Sequence, residues 1–304
     1  MDIIRSQLKK LPYPDTDCTG KTVIITGANI GLGKEAARHF VRLNAKVILA
    51  VRSIAKGEEA KRDIESTTKK TGTTEVWELD LASYSSVKAF GKRVSLLPRV
   101  DVIIMNASIA AYSFETAEDS ESSITVNVIS TFLLVVLLLP ILRTFATTWS
   151  ILPVITIVSS DMHHFTTFPE RLEPDSLAAL NEKSSNMNER YTPSHRLLAL
   201  TQGMKLTQLY HSYATSKLLQ VLAFQEISSR LADKQPMVVL NMVNPGLCKT
   251  SLRRNITGAL KIQAGVLQAL IARTAEVGSR TLIHGGTAGL ESYGRYISDC
   301  NVNK

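Results

Sequence analysis

The chain reads as an α/β protein in which one doubly wound parallel sheet is flanked by helices, a single domain over residues 1–304. Three observations predict this. Short β-branched, apolar runs alternate with longer amphipathic stretches, the pattern of successive strand–helix–strand crossovers. The first such run breaks into a glycine-rich turn, with Gly27, Gly31 and Gly33, before a helical stretch begins. Hydrophobic residues form 44% of the chain, enough for a substantial core, and no internal repeat, low-complexity linker or long charge run divides it.

The elements follow in order. Thr22-Val23-Ile24-Ile25 has the composition of a buried parallel strand, expected over 22–26. It runs into Thr26-Gly27-Ala28-Asn29-Ile30-Gly31-Leu32-Gly33, and Lys34–Leu43 then reads as an amphipathic helix. Strand, glycine turn and helix are the context a dinucleotide-binding turn requires. Gly27 permits the tight turn, while Gly31 and Gly33 leave no Cβ between the backbone and a diphosphate at the helix N-terminus. Asn29, Ile30 and Leu32 belong to the same cradle. A plain strand-to-helix loop is the alternative, and the Gly-x-x-x-Gly-x-Gly spacing departs from Gly-x-Gly-x-x-Gly. Further strands are expected over 46–51, 74–79, 101–105, 153–159 and 237–243, with a short last one near Tyr296-Ile297.

The second strand ends at Arg52. An acid at that point, about 20 residues past the glycines, bonds the ribose 2′-hydroxyl of NAD. An arginine there suits the extra phosphate of NADP instead, or is a solvated strand-end charge. NADP is therefore expected over NAD.

Tyr213-Ala-Thr-Ser-Lys217 places a phenol and an ammonium one helical turn apart on one face. A free phenol has a pKa near ~10, and a neighbouring positive charge favours its ionised form. Such a tyrosine can exchange a proton with an alcohol oxygen while hydride moves at the adjacent carbon.

Together these stretches resemble the short-chain dehydrogenase/reductase family, whose motifs are Thr-Gly-x-x-x-Gly-x-Gly and Tyr-x-x-x-Lys, from about Lys21 to Cys300. The resemblance implies a Rossmann-type sheet and an NAD(P)-dependent oxidoreductase acting on CH–OH groups. Asp80-Leu81 matches the adenine-contacting acid, and Asn106-Ala107-Ser108 stands where the family has Asn-Ala-Gly. Asn127 matches the active-site helix asparagine, and Ser160, after Val154–Val158, the catalytic serine. Pro245, Gly246 and Thr250 match the loop that closes over nicotinamide. By the same resemblance, Ser160 would hold the substrate oxygen and Tyr213 would be general acid or base. Lys217 would lower the tyrosine pKa and bind the nicotinamide ribose, Asn127 would order a water linking Lys217 to solvent, and Lys34 would be a second phosphate contact. A homodimer through the helices of Asn127 and Tyr213 is implied as well.

Other classes are disfavoured. The net charge is +8, but basic residues are scattered and no nucleic-acid motif is present. Cys18, Cys248 and Cys300 are widely spaced, which argues against a disulfide framework and a metal site and suits a reducing compartment. His163 and His164 read as loop residues, because no acid or cysteine stands at metal spacing. The apolar run Phe132–Leu139, interrupted by Pro140 soon after, is too short for a membrane span of ~20 residues and reads as a buried helix flanking the sheet or a dimer-forming one. With no signal-peptide pattern at the N-terminus, a cytoplasmic enzyme is expected.

Within the family the chain resembles the retinol dehydrogenase and WW-domain oxidoreductase branch, through Val51-Arg52-Ser53, Val158-Ser159-Ser160 and Arg280-Thr281-Leu282. The segment His164–Asn188 is similar to fungal members, many encoded beside secondary-metabolite genes. A lipophilic small-molecule substrate is implied. In the variable segment 247–275, the stretch Leu252–Ile271 either lines a lipophilic pocket with Leu260, Ile262, Val266, Leu267, Leu270 and Ile271 or packs on the core. Two departures stand out. Segment 192–213 reads as an insertion, because its deletion would join Tyr191 to Ala214 and restore Tyr-x-x-x-Lys. It is either an intron translated in frame or a genuine surface excursion. The chain also stops at Lys304, short of a further helical segment usual in the branch. Both departures leave a catalytically inactive dinucleotide-binding relic as the alternative function.

Overall fold

The β-branched runs form one eight-stranded sheet in a computed structural model of the chain, which describes residues 3–111, 114–166, 168–181, 211–235, 237–250 and 271–302. In chain order the first half comprises α1 (Ile3–Leu8), β1 (Thr22–Thr26), α2 (Gly31–Arg42), β2 (Lys46–Val51), α3 (Ile54–Thr68), β3 (Thr74–Glu78), α4 (Tyr84–Val94) and β4 (Val102–Met105). A small hairpin, β5 (Thr116–Ala117) and β6 (Ser120–Glu121), leads into α5 (Ser122–Ile124), wide helical turns over Thr125–Ser130, and α6 (Thr131–Trp149). Then come β7 (Val154–Val158), α7 (Ser176–Asn181), α8 (His211–Leu231), β8 (Val239–Asn244), α9 (Ala275–Thr287), β9 (Tyr296–Ser298) and β10 (Asn301–Val302).

Sheet order is β10-β9-β8-β7-β4-β1-β2-β3, parallel except for the β9–β10 pair. From β1 the chain winds outward through β2 and β3, then crosses back to β4 and winds the other way. This reversal opens a crevice at the carboxyl ends of β1 and β4, where an open α/β sheet places its ligand. Every strand foreseen from sequence is present, with ends differing by up to two residues, the usual blur of element boundaries. The β5–β6 hairpin and β10 were not foreseen, being only two residues per strand.

Two apolar layers hold the sheet. Phe40, Val41, Ile64, Leu282 and Ile283 from α2, α3 and α9 pack on one face. Val87, Phe90, Leu134, Leu138 and Phe224 from α4, α6 and α8 pack on the other. The run Phe132–Leu139 is not a separate short helix: it lies inside a continuous 28-residue helix, Ser122–Trp149, of mean hydropathy 2.5 in its most apolar window. By length and composition alone that helix could cross a membrane, but 61% of the window is buried inside the protein, so it is a core helix. Pro140 does not end it. Pro140 removes the donor for the carbonyl of Val136, and both residues lie on the exposed face, where water can replace the bond.

Candidate active site

The glycine turn is built by close backbone approach. Gly27 (φ +67°) donates its N–H to the Ala50 carbonyl of β2 at 2.8 Å, and a Cβ there would stand 3.0 Å from Cα of Ala107. Gly33 is tighter: a Cβ would meet Nδ2 of Asn106 at 2.5 Å and the Gly27 carbonyl at 2.6 Å. Asn106 itself staples the turn. Its Nδ2 donates to the carbonyls of Thr26 (2.9 Å) and Gly27 (3.3 Å), and the N–H groups of Asn106 and Ala107 donate to Oγ1 of Thr26 at 3.0 and 2.9 Å. Asn106 therefore shapes the cradle with its amide. The helix behind it starts after Ile30, an exposed residue whose side chain caps nothing, so the first-turn N–H groups of Gly31, Leu32 and Gly33 remain for an anion. Asn29 is half-buried in the same turn. This cradle fits a dinucleotide diphosphate.

Arg52 is exposed immediately after β2. Lys34 is held by Asp63, Nζ to Oδ2 at 2.8 Å, beside Arg38 on the same carboxylate, so Arg52 is the better placed of the two for an added phosphate. Asp80 fixes the turn after β3 by accepting from the Ala82 N–H at 2.9 Å, and Leu81 is buried behind it.

The loop after β8 meets the turn from the other side. Asn244 accepts from the Gly246 N–H at 3.0 Å, and Thr250 lies 3.8 Å from where a Cβ on Gly31 would stand. Gly246 has φ +76°, and a Cβ there would strike the side-chain amide of Gln7 at 2.5 Å and Arg273 at 3.0 Å. Arg273 is buried; it donates to the carbonyls of Pro245 (3.1 Å) and Ser6 (2.6 Å) and pairs with Asp299 at 2.7 Å. With its amide turned to donate to the Leu247 carbonyl, Gln7 also ties α1 to this loop.

Tyr213 and Lys217 stand one turn apart on α8, with Nζ of Lys217 5.6 Å from the tyrosine ring centroid. Both are buried, and Lys217 is only 1% exposed. Its ammonium donates to the Val158 carbonyl of β7 at 2.9 Å and to Oε1 of Gln220 at 3.0 Å. Burial, which penalises charge, pushes Lys217 down to about 7. Val158 is two residues before Ser160, so the lysine is tied to the strand that delivers the serine. Ser160 caps the turn Asp161–Phe165, its Oγ accepting from the Met162 N–H at 3.3 Å, and Thr166 meets Thr215 of α8 at 2.9 Å.

Asn127 is fully buried on the wide turns before α6. Its Oδ1 accepts from the Ile109 N–H, and its Nδ2 donates to the Ile109 carbonyl and to Oγ of Ser216, each at 2.9 Å. The side chain thus joins the loop after β4 to α8. Between Asn127 and Lys217 stands the amide of Gln220, its Nε2 donating to the Asn127 carbonyl at 3.0 Å.

Sequence reasoning missed Gln220, Arg273, Gln7 and Asp299. Gln220 was readable, three residues beyond Lys217 and so on its helical face. The Arg273 cluster joins residues from both chain ends and carries no local signal. Residues 192–210 of the suspected insertion, Tyr191, and Leu252–Leu270 of the variable segment lie outside the described residues. His211, Ser212 and Tyr213, the last of that insertion, form the first turn of α8.

Comparison with known proteins agrees with this geometry. Residues 21–161 match the family model for short chain dehydrogenase. The chain is 47% identical to the short chain dehydrogenase/reductase dmxR8 of Cryptosporiopsis sp. (strain 8999), covering 99% of this chain and 88% of that one. It is 41% identical to the short chain dehydrogenase atnD of Emericella nidulans, covering 97% and 88%. A solved 3-oxoacyl (acyl-carrier-protein) reductase from Agrobacterium tumefaciens C58, with NADP bound, superposes with a TM-score of 0.63 at 19% identity, over 92% of this chain and 93% of that one. The glycine cradle at a sheet switch point and the buried Tyr213–Lys217 pair thus define a dinucleotide-dependent oxidoreductase. The chain belongs to the short-chain dehydrogenase/reductase family.

Proposed function

We propose that this oxidoreductase uses NADP(H) to interconvert a ketone or aldehyde and an alcohol on a lipophilic small molecule, in secondary metabolism. The observation that carries the reading is the buried Tyr213–Lys217 pair on α8, fastened through the Val158 carbonyl to the strand that ends at Ser160. In reduction the Tyr213 phenol gives its proton to the carbonyl oxygen, and in oxidation the phenolate removes it from the alcohol. Lys217 favours the phenolate by its charge. The Ser160 hydroxyl, which only accepts a long bond from Met162, keeps its proton for the substrate oxygen. The nicotinamide supplies or takes the hydride.

Residues Gly27, Gly31 and Gly33 would hold the diphosphate, Asp80 and Leu81 the adenine side, and Pro245, Gly246 and Thr250 the nicotinamide side. Support for a small-molecule substrate comes from the family alone, and the lipophilic class is the reading the sequence's branch resemblance favours. Exposed Val136 and Leu222, on α6 and α8, support a homodimer through those helices. Cys18, Cys248 and Cys300, held as buried thiols, are consistent with the cytoplasm as the working compartment.

The cofactor assignment has a direct test in the dissociation constants for NADPH and NADH. NADPH is expected to bind more tightly. Arg52→Ala should weaken NADPH by about 10-fold or more, the worth of a charge-assisted hydrogen bond, and leave NADH unchanged. A wild-type preference for NADH would overturn the assignment.

A further inference from the structure

Resting on the reading of Tyr213 and Lys217 as the proton-transfer pair, we propose that Gln220 is a positioning residue that holds the Lys217 ammonium in register with the phenol. Gln220 is 1% exposed, and both ends of its amide are committed. Oε1 accepts from Lys217 Nζ at 3.0 Å, and Nε2 donates to the Asn127 carbonyl at 3.0 Å. The amide cannot turn over without breaking both bonds, because a carbonyl oxygen would then face Asn127 and an NH2 would face the ammonium. Asn127 is itself fixed by Ile109 and Ser216, so the lysine head is braced from the wide turns before α6 as well as from β7. An ammonium has three N–H groups. Val158 and Gln220 take two, leaving one for the side where the phenol and cofactor ribose would lie.

The choice of a neutral amide has a chemical consequence. Burial drives Lys217 toward the uncharged amine, and acceptors such as Oε1 of Gln220 favour the charged form. A carboxylate in the same place would keep the proton but cancel its field at Tyr213. Glutamine retains the proton and the field together. The elements packed against α8 bring Asp161, His163 and His164 on the turn after Ser160, and none from Thr125–Ser130. Glu121 accepts from the Ile124 N–H at the start of α5. Tyr296 on β9, raised above the ordinary phenol range by burial, neighbours Asp161 and Tyr213.

The test follows the phenolate in two ways. One is the pH profile of alcohol oxidation. The other is the ultraviolet phenolate step that disappears in Tyr213→Phe, read on the protein without substrate. Gln220→Met keeps the shape and removes both bonds, while Gln220→Glu keeps the shape and adds charge. In each the phenolate step and the oxidation limb should move up by about one pH unit, so that oxidation below the limb falls about tenfold. Gln220→Asn, a shorter amide, should move them less. Activity lost with both steps unmoved, or activity unchanged in Met and Glu variants, would overturn the role of Gln220. Lys217→Met separates this from the underlying reading. If Lys217→Met moves the phenolate step and the Gln220 variants do not, only the Gln220 proposal fails; if Lys217→Met also leaves it in place, the proton-transfer reading fails first.

Discussion

Tyr213→Phe is expected to lower turnover by about a thousandfold while the protein keeps its fold and binds NADPH within about threefold of the wild type, a loss in the range typical of a general acid. The reason for so large an effect is the placement of the phenol. The buried tyrosine faces the Lys217 ammonium, with Nζ 5.6 Å from its ring centroid, in a place water does not reach freely. The substitution removes one oxygen and leaves the ring, so the packing of the ring survives. Water is a poor replacement for the lost proton donor, because both side chains are shielded from solvent. Steady-state turnover and NADPH fluorescence titration on the same preparation check this. Retained turnover would place the proton donor elsewhere.

The second large effect is expected at Gly33→Ala. The added methyl would stand 2.6 Å from the Gly27 carbonyl and 3.1 Å from Cα of Ala28, both backbone atoms with no rotamer to change. It would also stand 2.5 Å from Nδ2 of Asn106, whose two bonds hold the turn closed. The turn must therefore open, at about 1–3 kcal/mol for overpacking, and the diphosphate cradle opens with it. NADPH affinity should fall by about a hundredfold, equivalent to about 2.7 kcal/mol, and the thermal midpoint by several degrees. Gly72→Ala is the control, since that glycine has φ +70° but open space around it and costs only local strain. Wild-type affinity in Gly33→Ala, measured by calorimetric titration, would remove the diphosphate from this turn.

Much of this architecture was legible because buried parallel strands need mostly apolar, β-branched runs, and the chain supplies them at Val23–Ile25, Val47–Val51, Ile155–Val158 (broken by Thr156) and Val239–Val243 (broken by Asn241). The glycine turn and the tyrosine–lysine spacing were legible because each is local. Where meaning depended on a partner distant in sequence, it was not. Asn106 reads only as part of a family motif, and its amide's closing of the turn shows only through Thr26 and Gly27. Arg273 gives no hint in sequence, yet it locks the Pro245 carbonyl to Asp299 and to the first helix. Pro140 interrupts the apolar run in sequence, but the freed carbonyl lies on the solvent side and the helix continues.

Deuterium transfer tests the central claim most directly. Purified protein is given NADPH carrying deuterium at the transferable nicotinamide position, together with apolar ketones and aldehydes, and the product alcohol is analysed by mass spectrometry. The expected result is one deuterium on the carbinol carbon with the wild-type protein, and next to none with Tyr213→Phe. NADPH bound at full affinity, with no deuterium reaching any carbonyl across the panel, would contradict the assignment and favour a dinucleotide-binding protein without turnover.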